Sequence, residues 1–245
     1  MLFRLAIFLL LLSGCLFAQV PTDTSKLLQK KITSVELLNI GASMPFSDFG
    51  NHEKSATSGF ALPGIKLDVG YNIQLYKHLG IKSLIQFQNN QIDDYKYKKD
   101  LLAENPVNSY TISSGSWNNL SGLLGAYANF NAGESYHLQP YLLFGFNYGT
   151  SPTIDLIVSD SLKALSTITQ KRGHTIAFCY GAGFDMKADL SNSFQLTIGI
   201  NHFLTDLKFE KIRVENTYKN SVYEFMVYQP IQTLGFKVGL AKIIR

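Results

Sequence analysis

The sequence predicts an all-β fold: an eight-stranded antiparallel barrel that crosses a membrane with its strands, with short turns at one end and long loops at the other. Three observations carry that expectation. Apolar and polar residues alternate with period two through eight segments after residue 34. The connections between those segments alternate strictly between short and long. The polar positions are rich in Gly, Asn, Gln and Thr, and only 16% of the 245 residues are charged, too few for strands whose polar face meets bulk water.

The chain opens with MLFRLAIFLLLLSGCLFA, one positive charge followed by an apolar run from Leu5 to Leu12 and then small residues. This is the layout of a secretory signal peptide over residues 1–18, too short for a comfortable bilayer span. Two processing sites compete. Leu12-Ser13-Gly14-Cys15 resembles a lipobox, which would make Cys15 a lipidated first residue; cleavage after Ala18 would instead leave Gln19 at the N-terminus. Either route takes the protein out of the cytoplasm by Sec-type export. Residues 19–34 read as a polar lead-in, and 35–245 as one barrel domain.

A strand sends successive side chains to opposite faces, so a strand between lipid and a filled interior is apolar on one side and polar on the other. Gly64 to Leu75 shows this most clearly: Ile65, Leu67, Val69, Tyr71, Ile73 and Leu75 oppose Gly64, Lys66, Asp68, Gly70, Asn72 and Gln74. The same code runs through 79–89, 138–149, 174–188, 194–203 and 233–242. It is less clean in 35–46, where Leu38, Ile40, Ala42 and Met44 share a side, and in 117–130. Tyr76-Lys77-His78, Asn131 to Ser135 and Asp189 to Ser193 are short turns. The stretches 47–59, 91–116, 150–173 and 204–230 are long loops.

An eight-stranded barrel is only wide enough inside to be filled by its own side chains. Lys66, Lys82, Lys187 and Lys237 are therefore expected to point inward with Asp68 and Asp185. Buried charges need partners, which makes a structural luminal ion-pair network the expectation. An open pore is not expected, although a selectivity or gating role for the same residues stays open.

Phrases such as Asn39-Ile40-Gly41-Ala42, Leu67-Asp68-Val69-Gly70-Tyr71 and Gln139-Pro140-Tyr141-Leu142, with a leader ending Phe17-Ala18-Gln19, resemble the strand idiom of small outer-membrane β-barrel proteins of Gram-negative bacteria. The resemblance is to the generic outer membrane protein beta-barrel domain family common in Bacteroidetes. It implies an integral outer-membrane location, with termini in the periplasm and loops outside. Its partners would be outer-membrane lipid and lipopolysaccharide. One departure is the C-terminus, Lys242-Ile243-Ile244-Arg245, where such barrels often end in an aromatic residue; Phe236 is the last ring here. A wall-tethering role through a peptidoglycan-binding domain is not expected.

Chemistry is sparse. His52, His78, His137, His174 and His202 show no metal spacing, and no cofactor is implied. Cys179 has no partner once Cys15 is removed or lipidated, so a disulfide framework is excluded. Gly122-x-x-Gly125 and Gly181-x-Gly183 fall in strands and are not phosphate loops. His202, with Thr205 and Asp206 nearby, is the one local cluster that suggests a lipid-modifying enzyme, but it lacks a His-x-Ser arrangement. A formal charge of +4, from 22 Lys and Arg against 18 Asp and Glu, does not suggest nucleic-acid binding. Surface candidates are Asp93, Tyr95, Tyr97 and Lys98 in the second long loop, and Lys208 and Arg213 in the fourth. Their mixed charged and aromatic character suits a protein or glycan ligand. The expected role is structural or interaction-based at the cell surface: adhesion, envelope integrity or assembly support. A narrow channel is the alternative, and a lipid-modifying enzyme a weaker one.

Overall fold

The computed structural model describes residues 33–52, 57–106, 108–159 and 165–244. The leader, both processing sites and all of the lead-in before Thr33 lie outside the described residues. In chain order the elements are β1 (Thr33–Pro45), α1 (Ser47–Gly50), β2 (Gly64–Gln74), β3 (Leu79–Gln91), α2 (Asp94–Glu104), β4 (Ser109–Ser114), β5 (Ser116–Ala128), β6 (Phe130–Asn131), β7 (Tyr136–Thr150), β8 (Ile154–Ser159), β9 (Leu165–Gln170), β10 (His174–Asp189), β11 (Phe194–Asn216) and β12 (Ser221–Ile244).

The expectation of an eight-stranded barrel is corrected. The chain forms one 12-stranded antiparallel sheet, ordered β10-β7-β5-β3-β2-β1-β12-β11-β9-β8-β4, with β6 paired to β7 and an additional ladder between β10 and β11. Three of the four added strands come from stretches expected to be long loops, and the fourth, two-residue β6, from the junction of the 117–130 segment with its short turn. Six-residue β4, β8 and β9 (SYTISS, IDLIVS and LSTITQ) are rich in β-branched residues and pair as β4–β8 and β8–β9, with β9 joined to β11. The fourth long loop is not a loop. β11 and β12 continue as one ladder from Phe194↔Lys242 to Asn216↔Ser221, turning through residues 217–220.

The extension was hidden because the code inverts along the strand. At the turn end of β11, Phe194, Ile198 and Ile200 are exposed while Gln195, Thr197 and Gly199 point inward. Toward the loop end the buried positions become Phe203, Leu207 and Phe209. A strand whose apolar side faces outward in one stretch and inward in the next has passed from an apolar surrounding into water. β12 repeats the inversion, with Phe236, Val238 and Leu240 exposed and Ile231 buried.

The enclosed face is thus polar along most of its length and apolar at the loop end. There Phe49, Phe60, Trp117, Leu207, Phe209, Ile212 and Ile231 form a buried cluster. The α1 turn inserts Phe49 edge-on to Trp117, with ring centroids 6.0 Å apart, and the Trp117 indole N–H donates to the Gly59 carbonyl at 3.1 Å. Phe209 also packs on the indole, with ring centroids 6.1 Å apart. Among the described residues no helix is long and apolar enough to cross a membrane.

Candidate functional site

β1 contributes a residue to the interior that alternation assigns to the outside. Glu36 shares parity with Leu38 and Ile40, yet it is fully buried. The reason is a bulge: the register of β1 shifts between Glu36 and Leu38 against β12, and between Glu36 and Asn39 against β2. The extra residue reverses facing, so Glu36 on one side of the bulge and Asn39, Gly41 and Ser43 on the other all turn inward.

Around Glu36 the structure gathers all six charged residues singled out for the interior. Lys82 bonds Glu36 and reaches Asp185 at 2.9 Å. Lys187 lies 3.3 Å from Glu36, and Lys237 lies 3.7 Å from Glu36 and 3.1 Å from Asp185. Lys66 pairs with Asp68 at 3.5 Å and bonds Asn201. Asn39 and Asn72 each donate an amide to Glu36 at 2.9 Å. The Lys82 and Lys237 ammonium groups lie 4.9 and 5.5 Å from the centre of the Tyr141 ring. Every charged member is nearly or wholly inaccessible to solvent. Four lysines thus meet three carboxylates, and the surplus positive charge is spread over amide oxygens and an aromatic face.

Two glycines make the cluster fit. A Cβ at Gly199 would stand 2.2 Å from an Asp185 oxygen and 2.7 Å from Lys237 Cε. One at Gly235 would stand 2.3 Å from the Asn201 side-chain oxygen and 3.0 Å from Lys66 Nζ.

Above the charges lies a layer of amides and hydroxyls. Gln88 donates to Asn90 at 2.8 Å, Thr233 to Gln88 at 3.2 Å, and Ser121 to Asn147 at 2.9 Å. The apolar cluster under α1 then covers that layer. Side chains fill each level in turn, and the arrangement is suited to holding strands together.

The surface candidates are not brought together as one site. Asp93 caps α2, its carboxylate accepting the Lys96 backbone N–H at 3.0 Å. Tyr95 and Lys98 are exposed on α2, whereas Tyr97 turns inward against Phe60, centroids 5.2 Å apart. Burial and the nearby Asp100 carboxylate raise the Tyr97 phenol pKa. Lys208 and Arg213 lie on β11, where Arg213 pairs with Glu215 at 3.0 Å and Lys208 with Glu210 at 3.5 Å. His202 faces outward against Phe46, ring centroids 5.2 Å apart. Thr205 is buried on the opposite face, where its hydroxyl donates to the Phe178 carbonyl at 3.0 Å. His202 and Thr205 therefore share no site. Cys179 is buried inside.

Residues 8–228 match the model of the outer membrane protein beta-barrel domain. The chain belongs to this family. The outward apolar strands of this outer-membrane barrel protein are its transmembrane strands, and it is integral to the outer membrane. Similar solved structures include a major outer membrane protein from Thermus thermophilus, at 14% identity over 88% of this chain and all of that one, TM-score 0.49. Ail, the attachment invasion locus protein of Yersinia pestis, is similar at 12% identity over 88% of this chain and all of that one, TM-score 0.41. Neisserial surface protein A follows at 10% identity, covering 86% and 96%, TM-score 0.38. No curated protein matches the sequence.

Proposed function

We propose that this outer-membrane protein is a non-enzymatic surface-interaction barrel, exported by a Sec-type signal and oriented with its loop end outside the cell. One observation carries the reading. The loop end is a built structure: β4, β8 and β9 extend the sheet beyond the charged interior, and the Phe49–Trp117–Phe209 cluster supports it from within. Ordered chain with its own apolar core, raised on a rigid scaffold, suits the presentation of a binding face to a protein or glycan. The same cluster covers the polar interior and disfavours conduction.

The experiment uses the folded protein in lipid. Planar-bilayer recordings are expected to show no stepwise conductance. Binding of the nanodisc-embedded protein to arrayed glycans and matrix proteins is expected to disappear when residues 94–114, spanning α2 and β4, are replaced by a short Gly-Asn turn. Stepwise conductance would overturn the reading in favour of a narrow channel, a role the charged interior supports. A change in lipid A mass on expression, lost in His202→Ala, would overturn it in favour of a lipid-modifying enzyme.

A further inference from the structure

The ladder between β10 and β11 is incomplete. It runs from Asp189↔Gln195 to Cys179↔Thr205 and stops. Beyond that point His174 to Phe178 keep their partners on β7, Thr150 to Phe146, while β11 keeps its partners on β12. β11 next meets the β8–β9 side at Arg213, whose carbonyl accepts the Lys171 N–H at 2.8 Å, and at Val214↔Gln170. Between these two closures the strands part, leaving a framed gap in the wall.

A cavity of about 420 Å³ fills the gap, lined by Gly173 to Ile176 on one side and Lys208 to Lys211 on the other. Its floor is closed, since Leu207, Phe209 and Ile212 are buried behind it. It is therefore a pocket that opens outward and not a passage. The Phe178 carbonyl faces the gap and is taken by Thr205. Main-chain groups of alternate strand residues point the same way, so those of Ile176 and His174 face the gap as well. A bulge between Phe209 and Ile212 turns Glu210 and Lys211 outward.

The pocket is cationic with one opposing charge. Lys208 and Lys211 line it with His174, and Glu210 lies 3.5 Å from Lys208. Lys211 enters no ion pair among the described residues. Directly beneath, toward the turn end, the exposed surface is apolar. Ile176, Phe146 and Phe178 are 68%, 65% and 57% exposed, and Phe146 and Phe178 are ladder partners with rings 6.1 Å apart. Tyr148 stacks on His174 at 5.7 Å, marking the junction. Unpaired main chain is not tolerated against hydrocarbon, which places this gap at headgroup level with the apolar patch in the acyl region.

We propose that this pocket binds the phosphate of an anionic outer-leaflet lipid, with Lys208 and Lys211 and the gap-facing main-chain N–H groups of β10 donating to the phosphate while an acyl chain lies on Ile176, Phe178 and Phe146. Cations above a continuous apolar strip match an anionic amphiphile better than a free anion. The inference is independent of the surface-interaction reading.

The test compares the wild-type protein with the Lys208→Ala/Lys211→Ala and Lys208→Arg/Lys211→Arg variants in detergent, after confirming that boiling shifts the gel mobility of all three alike. Native mass spectrometry measures bound bisphosphorylated lipid A, with phosphatidylcholine and inorganic phosphate as separate probes. The double-alanine variant is expected to bind lipid A about fivefold more weakly, the arginine variant to retain binding, and phosphatidylcholine to be indifferent to the changes. Equal lipid A binding by the wild-type and double-alanine proteins would overturn the proposal. Displacement of lipid A by millimolar inorganic phosphate would overturn the lipid assignment and give the pocket to soluble phosphate.

Discussion

Lys82 on β3 and Asp185 on β10 meet at 2.9 Å across the enclosed face, although 103 residues separate them in sequence. Asp185 also holds Lys237 at 3.1 Å, so one carboxylate links three strands. Removing one partner of a buried pair leaves an uncompensated charge, which costs about 3–5 kcal/mol. Asp185→Asn is therefore expected to lower the stability of the folded protein by that order. Urea titration in lipid vesicles, read by the gel mobility of the unboiled protein, measures it, and an unchanged midpoint would refute the linking role.

Lys187 is expected to behave differently. It reaches Glu36 at 3.3 Å, and its ammonium has no hydrogen-bond partner among the described residues. Since the interior holds four lysines against three carboxylates, losing this cation brings it to neutrality. Lys187→Met, close in length and apolar, should change the same urea midpoint by less than about 1.5 kcal/mol, far less than Asp185→Asn. Equal losses in the two variants would show that position, and not charge balance, sets the cost.

The bulge in β1 gives a sharper test. Its extra residue alone turns Glu36 inward. Deleting Leu37 shifts the preceding residues by one and would send the Glu36 carboxylate into lipid, where a charge is unfavourable, and would leave its lysine partners without it. The deletion variant should fail to acquire heat-modifiable mobility. A Leu37→Ala variant, which keeps the bulge, should fold.

How much of this was legible follows from the parity rule itself. Lys66, Asp68, Lys82, Asp185, Lys187 and Lys237 lie in strands of unbroken alternation, so counting by two identifies the inward face. Glu36 was missed because parity counts through a bulge as though it were absent. The segment from Leu204 to Pro230 was missed for a different reason: its apolar side faces the interior, whereas the same strands lower down place their apolar side outward. A change of surrounding midway along a strand looks like the end of the alternation. Phe203, Leu207, Phe209 and Ile212 taken by themselves carry a usable signal, interrupted only at the Glu210–Lys211 bulge. The pocket between β10 and β11 was beyond reach, because which ladder stops short is decided by pairing partners and not by either strand alone.

Trp117 bears on the loop end. It is buried against Phe49 and Phe209 and anchored by the Gly59 carbonyl. Trp117→Ala should cost about 3–5 kcal/mol where the site cannot collapse. The loss should be local, because the charged interior keeps its own contacts. Hydrogen exchange is expected to accelerate in α1 and the loop-end stretches of β11 and β12, with little change near Lys82 and Asp185. Uniform acceleration across the sheet would show that the two regions open as one unit.

His52 supplies the pH dependence. Burial, and next the positive charge of Lys96, lower its pKa below the ordinary 6.5, against a smaller opposing pull from Asp93. Its ring packs near Phe60 at 6.1 Å, and its Nδ1 is buried without a hydrogen-bond partner among the described residues. The folded state therefore prefers the neutral ring, while the unfolded chain takes up a proton at the ordinary value. The stabilising contribution is full above pH 6.5 and is lost as pH falls from there through the lower folded value. Carbon-detected titration of the imidazole should give a midpoint below 6.5, and His52→Gln should remove the corresponding loss of hydrogen-exchange protection, relative to the intrinsic rate, around Phe60 on mild acidification. A midpoint at or above 6.5 would mean that the ring is solvated and that its packing on Phe60 contributes nothing to the loop end.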